Sequence, residues 1–439
     1  MMRENWIEAT LGEVCNINMG QSPPSSTYNT EKIGLPFFQG KAEFTTLHPV
    51  VIKWCSDPKK IANENDILLS VRAPVGTTNV ANQKCAIGRG LAAISYSRNY
   101  KYILYYLKLI ERKLDSQGTG TTFKAISGNI LKSQTIPIPP LPEQRAIVAK
   151  VEQLFSELDN GIANLKAAKD KLEIFRQAVM EKAFEGELTR NSSRPKDWKQ
   201  ETLGNVIERI EAGKSFRCEE RPPQQNETGI LKVSAVTWGK FQEEESKTVT
   251  DESKINPAYF VQKGDFLLSR ANTLQLVGNT VIVRRIQKKL MLSDKTLRIS
   301  FNSNTSDWFI LYFLRSHEGR KQIEALSTGN QVSMRNIGQA RIKQIKFPCP
   351  PTLEEQTQIV QEIETRLSVC DNAIANIEES LTKAEALRQS ILKKAFAGKL
   401  LTNTELQACR QEPDWEPAAK LLERIKHDKK STPRKKSTT

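Results

Sequence analysis

The sequence predicts an α+β protein in which two mixed α/β domains are separated by two long antiparallel coiled-coil helices, with an internal pseudo-two-fold repeat. Two observations support this fold class. The 439-residue chain aligns with itself without a gap, residues 143–188 on 355–400, with 20 identities in 46 positions. Average residue usage would give about three identities by chance. Both aligned segments also carry a helical apolar periodicity that no proline interrupts.

The two helices are predicted from apolar side chains at three- and four-residue spacing. Pro142 precedes the first run and suits a first helical turn, and Gly186 and Gly398 mark the expected C-terminal caps. The apolar positions are Ile147, Val151, Leu154, Leu158, Ile162, Leu165, Leu172, Phe175 and Val179 in the first helix, and Ile359, Ile363, Leu367, Cys370, Ile374, Ile377, Leu381, Ala384 and Ile391 in the second.

Each helix has one narrow apolar stripe, which needs a partner along its length. Because the chain runs domain, helix, domain, helix, two helices that pack on each other must be antiparallel. The sequence leaves open that each helix packs on its own domain or on another subunit. The residues expected at this helix or subunit interface are Ile147, Val151, Leu154, Leu158, Ile162, Phe184, Ile359, Ile363, Leu367, Ile374 and Phe396.

The repeat extends into both mixed domains. The pattern W-x3-T-L-G-x-V begins at Trp6 and again at Trp198, and DILLS at Asp66 matches DFLLS at Asp265. The chain is therefore expected to be a duplicated half-protein. We expect domains at 1–142 and 196–354, helices at 143–188 and 355–400, and a C-terminal segment with a basic tail at 401–439.

Composition limits the binding partners, the cysteine chemistry and the location that can be expected for the protein. The formal net charge is +15, but the residues from Lys420 onward hold eight Lys or Arg against two acids. Charge alone therefore favours a polyanion partner and a basic protein with a solvated tail about equally. Seven cysteines without a CxxC pair, and three histidines, predict neither a disulfide framework nor a zinc site and fit a cytoplasmic protein. No apolar window is long enough for a membrane span, so we expect no membrane association.

The sequence lacks the motifs of a catalytic chain. It has no P-loop, no H-E-x-x-H, no G-x-S-x-G and no EF-hand spacing. A DNA methyltransferase would carry an F-x-G-x-G loop and an N-P-P-[FY] or D-P-P-[FY] tetrapeptide, and the nearest match is NPAYF at Asn256. Carboxylates are abundant, so a nuclease site stays open at this stage. We expect no catalytic residues, no metal ligands and no cofactor in this chain.

Paired sequence blocks resemble one family. The blocks are PPLPEQRAIV with RQAVMEKAFEGEL, and PPTLEEQTQIV with RQSILKKAFAGKL. They resemble the specificity subunits of type I restriction-modification systems, over essentially the whole chain. Thr352 interrupts the second PPL and Ser390 replaces an alanine, and both departures are mild.

The resemblance implies a non-catalytic DNA-binding subunit. The two mixed domains would be target recognition domains that each read one half of a split, asymmetric sequence in double-stranded DNA. The helices would fix the gap between the halves and dock two methyltransferase subunits. Restriction and translocase subunits would join, and S-adenosylmethionine, ATP and Mg²⁺ would bind to those partners.

The residues that contact DNA are predicted from loop chemistry. Base edges are read by Arg, Lys, Asn or Gln, and phosphates are held by backbone N–H groups, hydroxyls and cations in glycine-rich loops. Arg72 and Arg270, which follow apolar strands, are the strongest phosphate candidates. The full set is Gly20, Gln21, Ser22, Ser70, Arg72, Gly118, Thr119, Thr121 and Lys124 in the first half, and Gly213, Lys214, Ser215, Ser269, Arg270, Gly329, Asn330, Gln331 and Arg335 in the second.

Two other functions remain open on sequence alone. A coiled-coil assembly protein whose end domains bind other proteins would show no salt-dependent DNA affinity, whereas DNA binding weakens steeply as salt rises. An enzyme with a degenerate motif would be active as an isolated chain, and the missing motifs disfavour it.

Overall fold

A computed structural model describes residues 5–120, 124–188 and 198–431 of the chain. The chain divides into two compact units. Unit 1 comprises Met1–Asn164 with Glu379–Thr439, and unit 2 comprises Leu165–Glu378. Each unit therefore combines one mixed domain with parts of both long helices, and the chain returns to unit 1 at its end.

The first half of the chain is built from short strands followed by helices. Its elements are β1 Ile7–Thr10, α1 Leu11–Val14, β2 Asn16–Met19, β3 Tyr28–Asn29, β4 Leu35–Phe38, β5 Lys53–Cys55, β6 Ile61–Ala62, β7 Ile67–Ser70, β8 Thr78–Val80, β9 Cys85–Ile87, β10 Leu91–Ser95, α2 Tyr100–Ser116, α3 Gly128–Lys132, β11 Thr135–Ile138 and α4 Leu141–Phe184.

The second half repeats this order with insertions, with two helices where the first half has α2, and with two more helices after the long one. Its elements are β12 Lys199–Thr202, α5 Leu203–Val206, β13 Ile207–Ala212, β14 Thr228–Leu231, β15 Ser246–Thr248, β16 Phe266–Ser269, β17 Ala271–Asn272, β18 Thr280–Ile282, β19 Lys289–Met291, β20 Thr296–Phe301, α6 Asp307–Arg315, α7 His317–Leu326, β21 Thr328–Gln331, β22 Met334–Asn336, α8 Gln339–Ile342, β23 Lys346–Cys349, α9 Leu353–Phe396, α10 Asn403–Arg410 and α11 Ala418–Ser431.

Each mixed domain has its own central four-stranded sheet, and the two sheets have the same strand arrangement. In unit 1 it has the strand order β2-β10-β7-β8, and in unit 2 the order β13-β20-β16-β18, with every pairing antiparallel. Strands β7 and β16, from the matching DILLS and DFLLS segments, are the buried inner strands of these sheets. The outer sheets differ, β3-β5-β4-β9-β6 in unit 1 and β15-β14-β19 with β17-β22-β21 in unit 2.

The two long helices pack on each other and run antiparallel, as predicted. In unit 2, Lys169 pairs with Glu378 at 2.6 Å and Arg176 pairs with Asp371, so residue numbers rise along one helix as they fall along the other. In unit 1, Arg388 of α9 pairs with Asp159 of α4. The alternative, in which each helix packs only on its own domain, is therefore wrong for the described residues.

The predicted stripe residues differ in burial. Ile147, Val151, Ile359, Ile363 and Phe396 are buried in the two cores, and Leu154, Leu367 and Phe184 are half-buried against those cores. Leu158, Ile162 and Ile374, nearer the middle of the helices, are also half-buried. A pair of helices covers only one side of each partner, so burial is lower where no domain packs on them.

One stripe assignment is wrong. Phe175 is 47% exposed, and the preceding Ile174 is more exposed still. An α-helix has 3.6 residues per turn, so a three-residue step from Leu172 places Phe175 about 60° away from it around the helix axis. The residue points to solvent although its spacing fits a helical repeat.

Glycine ends both helices as predicted. Gly186 and Gly398 have φ values of +76° and +70°, which is the left-handed conformation of a helix C-cap. The amide of Glu187 donates to Lys182 O at 2.9 Å, and that of Lys399 donates to Lys394 O at 2.8 Å. Regular helix thus ends at Phe184 and Phe396, four residues before the repeat does, and begins two residues earlier, at Leu141 and Leu353.

Candidate nucleic-acid interface

The three predicted loops of unit 1 meet at one end of its central sheet. The amide of Gly20 donates to Leu91 O at 2.9 Å, and the amide of Val71 donates to Gly90 O at 2.9 Å. Arg72 forms an isolated bridge with Ala125, which also pairs with Thr119. The chain therefore brings residues 20–22, 70–72, 118–120 and 124–125 together, although they are far apart in sequence. Thr121 lies outside the described residues.

The three predicted loops of unit 2 converge in the same way. The amide of Gly213 donates to Ser293 O at 3.2 Å, and that of Arg270 donates to Lys295 O at 2.8 Å. Asn272 pairs with Arg335 where β17 meets β22. Residues 213–215, 270–272 and 328–336 thus form one surface in unit 2, which matches the arrangement in unit 1.

Two glycines explain how the first loop of each set lies so close to its neighbour. A Cβ added to Gly20 would lie 2.1 Å from Gly88 O, and one added to Gly213 would lie 1.8 Å from Leu292 O. Neither distance is possible for a side chain, so both positions require glycine. These predicted DNA-binding glycines are better explained by close backbone packing, which leaves the adjacent Gln21, Lys214 and Ser215 at the surface.

Several predicted side chains stabilise the loops themselves. Ser70 and Ser269 are buried, and their hydroxyls donate to Arg72 O at 2.8 Å and to Leu276 O at 3.0 Å. Arg335 donates to Ser327 O and Gly329 O, both at 2.8 Å. These three side chains therefore hydrogen-bond to backbone carbonyls of the turns that present the surface.

The remaining predicted residues lie at the surface. Arg72 and Arg270 are exposed, and neither forms an ion pair with any residue in the part of the chain that the structure describes. Lys124 is exposed and pairs with Asp115 at 3.4 Å, and Ser215 is exposed and bonds Asp294. Exposed amides and hydroxyls occur at Gln21, Thr119, Asn330 and Gln331, whereas Gly118 and Ser22 are half-buried and Gly329 is exposed.

Sequence reasoning noted the repeated Trp and Glu-Gln motifs but missed their pairing. The indole N–H of Trp6 donates to Glu143 Oε2 at 2.8 Å, and that of Trp198 donates to Glu355 Oε1 at 3.1 Å, both in buried surroundings. Each bond joins the first residues of a domain to the start of a long helix. A buried donor-acceptor pair recurring at equivalent positions of both copies would have been the signal.

The glutamines of the same motifs are also buried and fully engaged. Gln144 accepts from the Tyr96 hydroxyl at 3.2 Å and donates to Pro139 O at 3.0 Å. Burial raises the pKa of Tyr96 to about 12, so the hydroxyl stays protonated and can donate even above its ordinary pKa of about 10. Gln356 accepts from the Ser306 amide at 2.8 Å and donates to Asn304 O at 3.2 Å.

Aromatic contacts fix the other end of each long helix to a domain. Phe396 packs on Tyr102 and Tyr106, with ring centroids 5.0 and 5.1 Å apart. Phe184 packs on Phe309 and Phe313 at 5.3 and 5.4 Å. Each domain is therefore held by the start of one long helix and the end of the other, which gives its loops a rigid base.

The described residues contain neither a metal-binding cluster nor a membrane-spanning helix. No group of His, Cys, Asp or Glu side chains within the described ranges is arranged to hold a metal ion. No helix in residues 5–120, 124–188 and 198–431 is both long and apolar enough to cross a membrane.

Comparison with known families identifies the family of the chain. The model described as the type I restriction modification DNA specificity domain matches residues 3–167 and 195–385, once in each half of the chain. The chain belongs to this family. The function is therefore DNA sequence specificity in a type I restriction-modification system, and the assembly-protein alternative is not favoured. Specificity subunits are generally non-catalytic.

This chain is similar to several specificity subunits. The StySPI specificity subunit of Salmonella potsdam is 28% identical over 91% of this chain and 89% of its own length. The MjaX specificity subunit of Methanocaldococcus jannaschii is 40% identical, over 42% of this chain and 44% of its own length. The solved HsdS subunit of Thermoanaerobacter tengcongensis shares the fold, with 20% identity, a TM-score of 0.59, and coverage of 91% of this chain and 98% of that one.

Proposed function

We propose that this specificity subunit reads a split, asymmetric target in double-stranded DNA, with one recognition domain on each half. The recognition domains are assigned to residues 1–142 and 196–354, the helices to 143–188 and 355–400, and the C-terminal segment to 401–439. The chain performs no catalysis, and its contribution is the choice of sequence and of the gap between the halves.

One observation supports this proposal. Each unit has a surface formed by three converging loops, and in each unit the domain that bears this surface is held by the start of one long helix and the end of the other. In each unit three loops converge beside a buried strand, and an exposed arginine, Arg72 or Arg270, projects from that surface without an ion pair among the described residues. Cations, hydroxyls and amides on loops suit both phosphate contacts and base edges. The outer sheets differ between the units, as expected if the two half-sites differ.

The partners follow from the same proposal. Two methyltransferase subunits dock on the paired helices and modify adenines within the target, and restriction and translocase subunits join them. S-adenosylmethionine, ATP and Mg²⁺ bind to those partners. The helices set the distance between half-sites because they join the two recognition domains.

The test is to express the chain with the methyltransferase encoded beside it and to map adenine methylation in the host DNA by single-molecule sequencing. We expect one split motif, modified on both strands, with a constant gap. A soluble complex that leaves methylation absent or scattered would refute the proposal.

A further inference from the structure

An apolar-tipped hairpin lies at the centre of the unit 2 loop surface. Strands β21 and β22 pair antiparallel at Thr328↔Asn336 and at Gln331↔Met334, with a register shift between these two pairs, and Val332 and Ser333 form the turn between the strands. Val332 is 71% exposed and Met334 is 63% exposed. Single exposed apolar residues are ordinary, but Val332 in the turn and Met334 at the adjoining strand end together form a local apolar tip.

Hydrogen bonds from a neighbouring loop and from two arginines hold the hairpin in place. Leu274 donates its amide to Val332 O at 3.0 Å, and Arg320 donates to Val277 O at 2.8 Å and to Gln275 O at 3.1 Å in the same loop. Arg335 ties the base of the hairpin to Ser327 and Gly329, as described above. The backbone carrying the exposed apolar side chains is therefore braced by two arginines.

A third exposed apolar residue belongs to a loop joined to the same surface. Trp238 is 64% exposed. The residues on either side of it are fixed, because Thr237 O accepts from Asn279 at 2.7 Å and Gly239 O accepts from Arg315 at 2.8 Å. The Thr237 hydroxyl also accepts from Asn272 at 3.2 Å, and Asn272 pairs with the hairpin.

The charge around these residues favours nucleic acid over protein as the molecule that binds this surface. The joined segments 237–242, 270–281 and 327–343 contain no aspartate or glutamate, and their cations are Lys240, Arg270, Arg335, Arg341 and Lys343. Amide side chains that suit base edges flank the tip at Asn330, Gln331 and Asn336. An apolar tip within a basic, amide-rich surface matches a stacked base step with phosphates on both sides.

We propose that this hairpin is a wedge that inserts Val332 and Met334 into the base stack of the half-site read by unit 2. Side chains of this type enter between base pairs, unstack the step and kink the duplex. Local unstacking lowers the cost of extruding a neighbouring base for modification. This inference rests on the proposed function and concerns unit 2 alone, because residues 121–123 of the corresponding loop in unit 1 lie outside the described residues.

The test uses the full chain with its partner methyltransferase and duplexes that carry the mapped target, with 2-aminopurine at successive positions of the unit 2 half-site. The double variant V332S/M334S is compared with V50S, which removes a valine that is 54% exposed in unit 1, away from the long helices and outside the predicted DNA-binding residues. The wild type and V50S should raise 2-aminopurine fluorescence at one step, and the double variant should not.

Affinity gives a second, independent signal. Loss of stacking contacts should weaken binding of the double variant about 5- to 150-fold, and a mismatch at the wedged step should restore part of that loss because the step is already unstacked. Equal affinity and equal fluorescence for the double variant would overturn the wedge while leaving sequence-selective binding intact. Loss of methyltransferase association by the double variant, with DNA properties unchanged, would assign the tip to a protein contact and also overturn the wedge.

The two proposals fail differently. If the wild-type complex shows no sequence-selective, salt-dependent DNA binding, the proposed function falls and the wedge falls with it. If selective binding is present but no position reports unstacking, only the wedge is wrong.

Discussion

The buried bond between Trp6 and Glu143 should control the stability of unit 1 alone. The Glu143→Ala substitution leaves the indole N–H without its acceptor in a buried site, which costs about 1–3 kcal/mol. This corresponds to an increase of about 5- to 150-fold in the equilibrium constant for opening the unit. Glu143→Gln keeps an oxygen acceptor at the same place and should recover much of the loss.

Hydrogen exchange measured peptide by peptide separates the two units. In Glu143→Ala, exchange should accelerate in strand β10, Leu91–Ser95, and stay unchanged in strand β20, Thr296–Phe301. The matched variant Glu355→Ala should give the reverse pattern. Unchanged exchange in both strands, or equal acceleration in both units, would refute the view that each Trp–Glu bond secures its own domain.

Three further results are expected. Replacing Arg72 or Arg270 with alanine should lower the slope of log affinity against log salt by about one each, measured by fluorescence anisotropy, and an unchanged slope would exclude a phosphate contact. Phe396→Ala should destabilise unit 1 by about 3–5 kcal/mol in urea unfolding, since it empties a buried site against two tyrosines, and a loss under 1 kcal/mol would contradict this packing. Lys426 and Thr10 lower the pKa of Glu13 from 4.5 to about 2, which stabilises the fold above pH 4.5 and is lost as pH falls through 2. Lys426→Ala should therefore be less stable than wild type at pH 7, with a difference in unfolding free energy that shrinks between pH 4.5 and 2, whereas a difference independent of pH would contradict this linkage.

The long helices were predictable because their signal is local and repeated. Three- and four-residue spacing, a proline at the start and glycines at Gly186 and Gly398 define a helix without knowledge of the rest of the chain. The antiparallel packing also followed, since connectivity permits one direction. Phe175 was misplaced because spacing alone does not show which side of a helix its partner covers.

The loop surfaces were predictable only in part. Glycine-rich loops indicated where a surface lies, but the roles of Ser70, Ser269 and Arg335 depend on carbonyls that folding brings near them. The acid of each D-x-L-L-S segment likewise caps a turn, as Asp66 Oδ2 accepts from the Asn63 amide at 2.7 Å. Such contacts are tertiary, and a single sequence does not distinguish a buried hydroxyl from an exposed one.

The clearest interpretation of the paired helices is that their length sets the gap in the DNA target. Insertion of three heptads into each helix, after Ala163 in α4 and after Lys383 in α9, adds 21 residues to both at facing positions and keeps the Asp159–Arg388 and Lys169–Glu378 pairs. At 1.5 Å per residue this lengthens each helix by about 32 Å, close to nine base pairs and nearly one turn of duplex. The half-sites would then face nearly the same side of the DNA as before.

The most direct measurement is the adenine methylation map of cells that express this insertion variant with its methyltransferase. Both half-site sequences should stay unchanged, and the gap should lengthen by about nine base pairs. The original gap in a folded, methylating complex would contradict this prediction.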